Sequence, residues 1–459
     1  MMHVAQAARV LQGTLKGADC EFTGVSTDSR TIGKGELFVA LRGERFDGHG
    51  FVAAVARSGA AAALVDERFD ASGAHLPLIV VRDTRLALGA LAKHWRAQFA
   101  PMLIGVAGSN GKTTTKEMIA CILRAAAGEH QVLATAGNLN NDIGLPLTLL
   151  RLRAAHRWCA IELGMNHKGE IAYLADIARP GVAVVTNAQR EHLEFLGSVD
   201  EVAEENSAIL RALPDDGTAV INGDDAHTEA FRAAAGARRV VDFALDRGAA
   251  VTGRYELKPL WSSIRITCSA GEAMATLAIP GVHNVVNALA AAACAFAAGI
   301  GLDAIGRGLS AFRPYTGRLQ VKTTGEGMTV IDDSYNANPD SVRAAIDVLA
   351  GASGRTVLVL GDMGEVGDEG PDFHSEVGRY AKERGISSVL ALGESTAHTV
   401  AAFGTGARHF ATIEDLAEAL DRARDKGTTV LVKGSRFMRM ERVVAGLTGK
   451  AKGRTEEAH

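Results

Sequence analysis

The feature that most constrains this chain is a glycine-containing loop, Gly108-Ser109-Asn110-Gly111-Lys112-Thr113-Thr114. The run before it, Met102–Ala107 (MLIGVA), predicts a buried strand, and Lys112–Ala126 predicts the helix that follows. Glycines at such a turn let successive backbone N–H groups point at phosphate oxygens, and the helix N-terminus adds a favourable dipole. The loop therefore predicts a phosphate site, with Lys112 on the β- and γ-phosphates and the Thr113 hydroxyl on Mg²⁺.

One position of the loop departs from the strict G-x-x-x-x-G-K-[ST] pattern. The residue five places before Gly111 is Val106, and the turn glycine is Gly108 instead. A G-K-T-T match alone also arises by chance in ordinary turns. The position of this one, between a strand and a helix, favours phosphate binding.

Apolar runs alternate with helical segments along the rest of the chain. Because the runs are uninterrupted, they predict parallel sheets covered on both faces. The central candidates, besides the strand before the loop, are Arg157–Glu162, Val182–Ala188 and Thr218–Asn222. A second series comprises Met328–Ile331, Arg355–Leu360, Ser388–Leu392 and Thr428–Val432. The first part has shorter strands, Leu37–Leu41, Ala62–Val65 and Leu78–Val81, and a helix at about Arg85–Gln98.

We predict an α/β chain of three domains from this pattern. The chain has 459 residues, and domains usually run about 100–200 residues. The junctions Phe99-Ala100-Pro101 and Arg313-Pro314-Tyr315-Thr316-Gly317 are candidate linkers. They delimit a small α/β N-terminal domain (1–98), a central P-loop ATPase domain with a parallel sheet (99–314) and a C-terminal Rossmann-like domain (315–459).

Charge and composition argue against some classes of binding partner and some cellular locations. The net charge is −4, with no clustered basic stretch, which argues against a nucleic-acid partner. The five cysteines lack paired metal-ligand spacing, which indicates free thiols in a reducing compartment. The longest apolar stretch, Asn287–Ile300, is shorter than the roughly 18 residues that a bilayer requires. We expect a cytoplasmic protein without membrane insertion.

Polar residues follow several predicted strands, where doubly wound folds place their sites. Glu162 ends one strand, and its carboxylate can complete a Mg²⁺ shell with Thr113; it can equally be a solvated strand-end glutamate. His192 lies just after the next predicted strand. It can be a metal ligand or a hydrogen-bonded structural residue. Asn138, Asn140 and Asn141 belong to an amide-rich segment that suits either an Asn-rich turn or the binding of peptide carboxylates and carbonyls.

The C-terminal part carries a comparable cluster. Asp332-Asp333-Ser334-Tyr335-Asn336-Ala337-Asn338-Pro339 ends one strand. Gly361-Asp362-Met363-Gly364-Glu365 and Lys433-Gly434-Ser435-Arg436 end two others. Because these segments converge on one sheet edge, we expect a second wall of the same site.

Taken together, these motifs resemble the Mur ligase family over nearly the whole chain. The first-domain motifs are Asp28-Ser29-Arg30, Gly35–Ala40 and Asp47-Gly48-His49. The central motifs are GSNGKTT, NLNNDIGLP, IELGMN, TNAQREHLE, Asn222–Asp225 and Gly281–Ala288. The C-terminal motifs are Gly317-Arg318, DDSYNANPDS, GDMGE and LVKGSRFMRME.

The resemblance implies roles for individual residues. Ser29 and Arg30 would lie near the UDP end of the substrate, and Gly108 to Thr114 would hold ATP phosphates. Glu162 and His192 would ligate magnesium. The motif on the adenine side would consist of His283, Asn284 and Asn287. Arg318 would lie near the ATP phosphates. The residues near the ribose or the incoming dipeptide would be Asp333, Tyr335, Asn336 and Asn338.

Within the family, the C-terminal motifs are similar to those of members that add D-alanyl-D-alanine to UDP-N-acetylmuramoyl-tripeptide through an acyl phosphate, with ATP and Mg²⁺. The D-N-P-R tetrapeptide typical of diaminopimelate-adding members does not occur here. Folylpolyglutamate synthetases lack the first-domain pattern. Two other functions stay open. One is an amide ligase that adds diaminopimelate, lysine or glutamate, and the other is a nucleotide-binding regulator or transport ATPase. We expect a monomer.

One position departs from the family. Many members carry a carbamoylated lysine, a ligand of a second magnesium, in a V-A-x-x-K-x-E context. The matching run here is Val202-Ala203-Glu204-Glu205-Asn206-Ser207-Ala208, so Asn206 occupies the lysine position. Asn206 or water would take over at that metal, or His192 and phosphate would hold it; the sequence leaves these alternatives open.

Overall fold

The computed structural model of the protein describes residues 1–43, 46–325, 327–422 and 425–449. Its elements fall into three successive groups along the chain, each built on its own main sheet. Residues 450–459, which the sequence assigns to the third domain, lie outside the described residues. The boundaries at 98/99 and 314/315 stay a prediction.

The N-terminal group is a small α/β unit. Its strands are β1 Met2–His3, β2 Thr14–Lys16, β3 Glu21–Phe22, β4 Val25–Ser26, β5 Leu37–Val39, β6 Ala62–Asp66 and β7 Leu78–Val81. Its helices are α1 Val4–Val10, α2 Val52–Arg57 and α3 Thr84–Arg96, with 3₁₀ turns at Gly48–Phe51 and Ala71–Gly73. The main sheet has the order β2-β7-β6-β5-β4, in which β4 to β7 are parallel and β2 is antiparallel.

The central group carries the phosphate loop. Its strands are β8 Met102–Ala107, β9 Val132–Ala134, β10 Trp158–Glu162, β11 Val182–Val185, β12 Thr218–Asn222, β13 Arg239–Ala244, β14 Val251–Leu257, β15 Ser262–Cys268 and β16 Gly271–Leu277. Its helices are α4 Lys112–Ala127, α5 Gly144–Leu149, α6 Glu170–Ala178, α7 Leu193–Leu196, α8 Val199–Arg211, α9 Thr228–Ala235, α10 Val282–Ala297 and α11 Leu302–Ala311, with a 3₁₀ turn at Glu129–Gln131. The strand order is β16-β15-β14-β13-β12-β11-β8-β10-β9.

The C-terminal group is a second doubly wound unit. Its strands are β17 Gln320–Thr323, β18 Thr329–Asp333, β19 Arg355–Gly361, β20 Ser388–Leu392, β21 Ala407–Phe410 and β22 Thr428–Lys433. Its helices are α12 Pro339–Ala350, α13 Gly370–Glu383, α14 Thr396–Phe403, α15 Ile413–Asp421 and α16 Glu441–Leu447, with 3₁₀ turns at Gly367–Glu369 and Arg436–Met438. The order is β17-β18-β22-β19-β20-β21, parallel except at β17.

The predicted α/β fold is confirmed, and most predicted strands match the observed ones within a residue or two. Two details differ. The strand predicted as Val182–Ala188 ends at Val185, because the following side chains turn to the phosphate loop: Thr186 Oγ1 donates to the Asn110 carbonyl at 2.8 Å. The central sheet is also not wholly parallel, since β15 pairs antiparallel with β14 and with β16.

Helix starts in all three groups are encoded locally. Asn338 caps α12, accepting a hydrogen bond from the Ser341 N–H, while the Ser341 hydroxyl accepts one from the Asn338 N–H. Pro339 occupies the first helical turn, where its missing N–H costs nothing. Asp83 and Ser198 cap α3 and α8 in the same manner. Of these helices, α3 and α12 begin beside the cavity described below.

Helix α4, which begins at the phosphate loop, is held between α10 and α11 under the central sheet. Met118, Ile119, Ile122 and Leu123 of α4 are fully buried in that core. At Gly308 in α11, an added Cβ would lie 2.3 Å from the Ile122 Cα. The two helix backbones therefore touch, and only glycine fits between them. No helix of the described ranges is both long and apolar enough to cross a membrane.

We expect Gly308→Ala to lower the free energy of unfolding by about 1–3 kcal/mol, because overpacking must push α11 away from α4. Urea denaturation followed by circular dichroism measures the change. The control is Gly248→Ala, where an added Cβ meets nothing within 4 Å. Equal stability of the two variants would contradict the tight α4–α11 contact.

Candidate active site

A cavity of about 900 Å³ lies where the central and C-terminal groups face each other. Most of its lining residues follow β8, β9, β10 and β11 on one side and β18, β19 and β22 on the other. All seven strands present their carboxyl ends, the edge at which doubly wound sheets bind ligands. The lining contains these sequence-predicted residues: Ser109, Asn110, Gly111, Lys112, Thr113, Asn138, Asn140, Asn141, Glu162, His192, Arg318, Tyr335, Asn336 and Asn338.

The phosphate loop packs too closely to accept side chains at its two glycines. Gly108 has φ +124°, and a Cβ there would lie 2.2 Å from Thr186 Oγ1. Gly111 has φ +82°, and a Cβ there would lie 2.2 Å from Asn287 Oδ1. Both positions therefore require glycine for conformation and for space. The displaced Gly108 is the turn glycine that the close approach to Thr186 demands.

Lys112 begins α4 and points across the loop. Its ammonium donates to the Ser109 carbonyl at 2.9 Å and to the two Glu191 carboxylate oxygens at 3.2 and 3.1 Å. Both side chains are mostly buried. A phosphate placed on the loop would compete with Glu191 for the same ammonium.

Thr113 and Glu162 form the oxygen-rich side of the cavity. Thr113 Oγ1 donates to Glu162 Oε1 at 3.2 Å, and Asn140 Nδ2 donates to the same oxygen at 2.8 Å. Glu162 is 1% exposed, and its other oxygen, Oε2, is buried without a hydrogen-bond partner. Hydroxyl and carboxylate oxygens are the ligands that Mg²⁺ prefers. A buried, unpartnered carboxylate oxygen beside a phosphate loop therefore fits a divalent cation.

His192 lies in the left-handed region, with φ 54°. Its Nδ1 is 2.6 Å from Glu365 Oε2, and its Nε2 is 3.5 Å from Glu191 Oε1. The neighbouring His192 ring lowers the pKa of Glu365 although burial opposes the shift. Within the described ranges, no three or more His, Cys, Asp and Glu side chains are arranged to hold a metal ion. The role of His192 as a ligand stays a prediction.

Asn206, at the lysine position of the family motif, is fully buried beneath the loop. Its Oδ1 accepts from the Gly108 N–H at 2.8 Å, and its Nδ2 donates to the Val202 carbonyl at 3.0 Å. Asn206 does not line the cavity. Of the alternatives left open by the sequence, the geometry therefore disfavours Asn206 as a metal ligand: its amide supports the backbone of the phosphate loop.

His283, Asn284 and Asn287 form a chain of hydrogen bonds behind the loop rather than part of the cavity lining. Asn284 Nδ2 and His283 Nε2 are 3.0 Å apart, and Asn287 Nδ2 donates to Asn284 Oδ1 at 3.1 Å. Thr115 Oγ1 donates to Asn287 Oδ1 at 3.4 Å. Burial lowers the pKa of His283 to about 4, so the ring is neutral at pH 7. Their adenine-side role stays a prediction.

The C-terminal wall touches the phosphate loop directly. Arg318 Nη2 donates to Thr113 Oγ1 at 3.3 Å, and the guanidinium lies 4.1 Å from the Tyr335 ring. Asn338 Nδ2 donates to Asn110 Oδ1 at 3.0 Å. The loop and the C-terminal helix start are therefore in contact across the cavity.

Besides Gly108, His283, Asn284 and Asn287, four further predicted residues lie outside the lining. Asp333 is bonded to the protein instead: Lys433 Nζ donates to its Oδ2 at 2.6 Å, and the Leu319 N–H donates to its Oδ1 at 3.1 Å. Ser29 and Arg30 lie in the N-terminal unit, where Arg30 pairs with Asp28 at 2.9 Å. Thr114 lies in the first turn of α4. The nucleotide and substrate roles of these residues stay predictions.

The sequence interpretation assigned no individual role to several residues of the site. Glu191, Lys433 and Phe437 line the cavity, and Arg190 pairs with residues of the C-terminal unit. Each stands inside a quoted motif, yet nothing in the motif says which partner it meets. The one available signal was the density of charges in Gln189-Arg190-Glu191-His192, directly after a strand end.

We expect Asn206→Ala to lower the free energy of unfolding by about 1–3 kcal/mol, because it leaves the buried Gly108 N–H without an acceptor. Chemical denaturation of the purified variant measures this. Ser207→Ala is the control: it also removes a buried side-chain bond of α8, to the Ala203 carbonyl, but strands no donor. A larger loss at Ser207 than at Asn206 would contradict the supporting role.

Three domain families match the chain in order. "Mur ligase family, catalytic domain" matches residues 21–96, "Mur ligase middle domain" residues 106–295, and "Mur ligase, glutamate ligase domain" residues 317–436. The chain is 41% identical over 448 residues to UDP-N-acetylmuramoyl-tripeptide--D-alanyl-D-alanine ligase of Escherichia coli (strain K12), covering 97% of this chain and 98% of that one. For the enzyme of the same name from Bacillus subtilis (strain 168), the identity is 35% over 461 residues, with 97% and 98% covered.

Solved structures agree with the sequence relatives. Crystal structure I of MurF from Acinetobacter baumannii superposes with a TM-score of 0.90 at 37% identity, covering 97% of this chain and 98% of that one. MurF ligase from Thermotoga maritima in complex with ADP superposes with a TM-score of 0.82 at 26% identity, covering 93% and 97%. With matches over its three groups of elements and along nearly its whole length, the chain belongs to the Mur ligase family.

Proposed function

We propose that the chain is an ATP-dependent amide ligase that joins D-alanyl-D-alanine to UDP-N-acetylmuramoyl-tripeptide in peptidoglycan precursor synthesis. The products are UDP-N-acetylmuramoyl-pentapeptide, ADP and phosphate. The observation that carries the proposal is the contact of Arg318 with Thr113 at 3.3 Å, which joins the C-terminal unit to the phosphate loop in one cavity. Relatives matched along nearly their whole length bear the name of this ligase.

ATP is the phosphoryl donor in this proposal. The Thermotoga maritima relative is described in complex with ADP, and the loop of this chain has the geometry for phosphates. The backbone N–H groups at the start of α4, from Gly111 to Thr114, would surround the phosphate oxygens. Those of Ser109 and Asn110 already donate to Asn187. The ammonium of Lys112 would exchange Glu191 for the γ-phosphate, because a phosphate carries more charge than a carboxylate.

Mg²⁺ is the implied cofactor, held by the Thr113 hydroxyl and the unpartnered Glu162 oxygen, with His192 as a further candidate. When bound, it would offset negative charge on the phosphate oxygens. Asn140 keeps the Glu162 carboxylate in place by donating to its other oxygen at 2.8 Å. That hydrogen bond leaves Oε2 as the oxygen that would bind the cation.

The reaction must turn a carboxylate into an electrophile. The terminal carboxylate of the tripeptide attacks the γ-phosphorus, the bond to the β-γ bridging oxygen breaks, and ADP leaves. The D-alanyl-D-alanine amine then attacks the carbonyl carbon of the acyl phosphate, loses a proton, and phosphate leaves from the tetrahedral intermediate. Lys112 and Arg318 would stabilise the charge that spreads over the transferring phosphoryl group.

The dipeptide would enter from the C-terminal wall. Asn336, Asn338 and Arg436 line that side of the cavity and supply amide and guanidinium groups. An amide donates to peptide carbonyls, and a guanidinium suits a terminal carboxylate. The amide-rich segment containing Asn138 and Asn141 faces them across the same space. The remaining parts of the proposal are a UDP site in the N-terminal domain near Ser29 and Arg30, a cytoplasmic location and a monomer.

The two-substrate dependence of phosphate release is the decisive measurement. We expect ATP turnover only when both UDP-N-acetylmuramoyl-tripeptide and D-alanyl-D-alanine are present. Lys112→Ala should lower the rate by at least about a thousandfold with the fold intact, because the group that neutralises the transferring phosphoryl is lost. Circular dichroism controls for folding. Turnover with diaminopimelate, lysine or glutamate as the acceptor amine would instead favour a neighbouring ligase, and turnover without muropeptide a regulator or transport ATPase.

Glu162→Gln should raise the Mg²⁺ concentration for half-maximal rate by roughly tenfold or more, because an amide is a weaker ligand for a hard cation than a carboxylate. A magnesium titration at saturating ATP measures it, and Mn²⁺ binding followed by electron paramagnetic resonance gives a readout independent of turnover. Glu194→Gln, at another lining carboxylate, is the matched control. An unchanged titration for Glu162→Gln would remove this residue from the metal site.

A further inference from the structure

Residues 187–192, here called the strap, follow β11 and run between the two walls of the cavity. Three of its side chains contact the phosphate loop. Asn187 Oδ1 accepts from the Asn110 N–H at 2.9 Å, and Gln189 Oε1 accepts from Asn110 Nδ2 at 2.7 Å. Glu191 holds the ammonium of Lys112 at 3.1 Å. One side of the strap therefore belongs to the nucleotide end of the site.

The residues in alternate positions point the other way. Arg190 reaches helices α12 and α13 of the C-terminal unit, and His192 reaches Glu365 after β19. Successive side chains from 189 to 192 thus contact the loop, the C-terminal unit, the loop and the C-terminal unit again. A segment built in this way links the position of the C-terminal unit to the geometry around Lys112.

Arg190 makes the strongest of these connections. Its guanidinium donates to Asp340 Oδ1 at 2.6 Å and to Glu376 Oε2 at 2.7 Å, and its backbone N–H donates to Asp340 Oδ2 at 3.0 Å. The guanidinium carbon also lies 5.1 Å from the centroid of the Phe373 ring. The three charged side chains are only 23%, 23% and 26% exposed. Hydrogen bonds from Arg190 lower the pKa of Glu376 although burial opposes this.

Charge-assisted, forked hydrogen bonds to two carboxylates are both stronger and more directional than the neutral-partner contacts between the walls. The Asn110–Asn338 pair is neutral, and Arg318 meets Thr113 through a hydroxyl at 3.3 Å. Asp340 and Glu376 lie on different helices, so one guanidinium fixes two elements of the C-terminal unit at once. Its removal would leave the contacts at Asn338, Arg318 and His192 to hold the C-terminal unit against the loop.

We propose that Arg190 is a positioning residue that clamps the C-terminal unit over the phosphate loop and thereby keeps water from the acyl phosphate. The inference rests on the proposed ligase function. If the wall opens, water replaces the amine as the nucleophile: it attacks the acyl phosphate, regenerates the tripeptide carboxylate and releases phosphate. ATP is then hydrolysed without formation of an amide bond.

The test is the number of phosphates released per amide bond formed, measured in one reaction mixture for the full-length protein. The wild type should release about one phosphate per bond, since each acyl phosphate is captured by the amine. In Arg190→Ala, ligation should slow roughly tenfold, and more than about two phosphates should be released per bond. The KM for ATP should stay within about threefold, because Arg190 does not line the cavity. Arg190→Lys keeps the charge but not the fork and should fall between them.

The chain offers a matched control in Arg343. It also donates to Glu376, at 2.7 Å, but it belongs to α12 and stays within the C-terminal unit. Arg343→Ala should keep a ratio of about one phosphate per bond, because the clamp to the strap is intact. If Arg343→Ala lost coupling as Arg190→Ala does, the effect would come from packing of α12 on α13, and the clamp would be wrong.

A scattering measurement separates failure of the clamp from failure of the ligase proposal. The radius of gyration of Arg190→Ala should exceed that of the wild type, whatever reaction the protein catalyses. A wild type that forms no amide bond would overturn the proposed function while leaving this comparison valid. A wild type that ligates, with Arg190→Ala equally coupled and equally compact, would overturn the clamp alone.

Discussion

The arrangement of the site depends on how closely the backbone of the phosphate loop packs against its neighbours. A Cβ at Gly108 or Gly111 would lie 2.2 Å from the side chain of Thr186 or Asn287. Thr186 directly follows β11 and Asn287 belongs to α10, so the loop is held between the end of the neighbouring strand and a helix. Asn206 completes the support by accepting from the Gly108 N–H. With the backbone held in this way, the N–H groups of the helix start can be directed at one place.

The same packing explains why the second wall can take part. A rigid loop presents Asn110, Lys112 and Thr113 at set positions, and each meets a partner outside the loop. Asn338 meets the loop because it is the N-cap of α12, so the cap that starts the helix also fixes its distance from the loop. The strap adds charged contacts beside this neutral one. The Asn338 cap thus both starts α12 and holds this helix against the phosphate loop.

Much of the fold could be predicted from the sequence, because buried parallel strands are uninterrupted apolar runs: Thr218–Asn222, Leu78–Val81 and Ser388–Leu392 were predicted to the residue. The antiparallel strands β14 to β16 were missed, since their half-exposed pattern lacks such runs. For the site, strand-end position predicted Glu162 and Asn140 as lining residues. It did not predict that Asp333 is bound to Lys433, or that Asn206 supports Gly108, because those partners are 100 and 98 positions apart and no local pattern encodes them.

The charges of the cavity bear on what it can bind. The lining contains five cationic side chains, Arg85, Lys112, Arg318, Lys433 and Arg436, and six anionic ones, Asp142, Glu162, Glu170, Glu191, Glu194 and Glu365. Several are already paired, Lys433 with Asp333 and Arg436 with Glu441. With neutral histidines, the lining has one net negative charge, yet the proposed reactants are a polyphosphate and a carboxylate. In the proposed reaction, the loop N–H groups and a divalent cation at Glu162 would therefore add the positive potential that the side chains do not supply. The unpartnered, buried oxygen of Glu162 is where a cation would both bind and lie close to the phosphate loop.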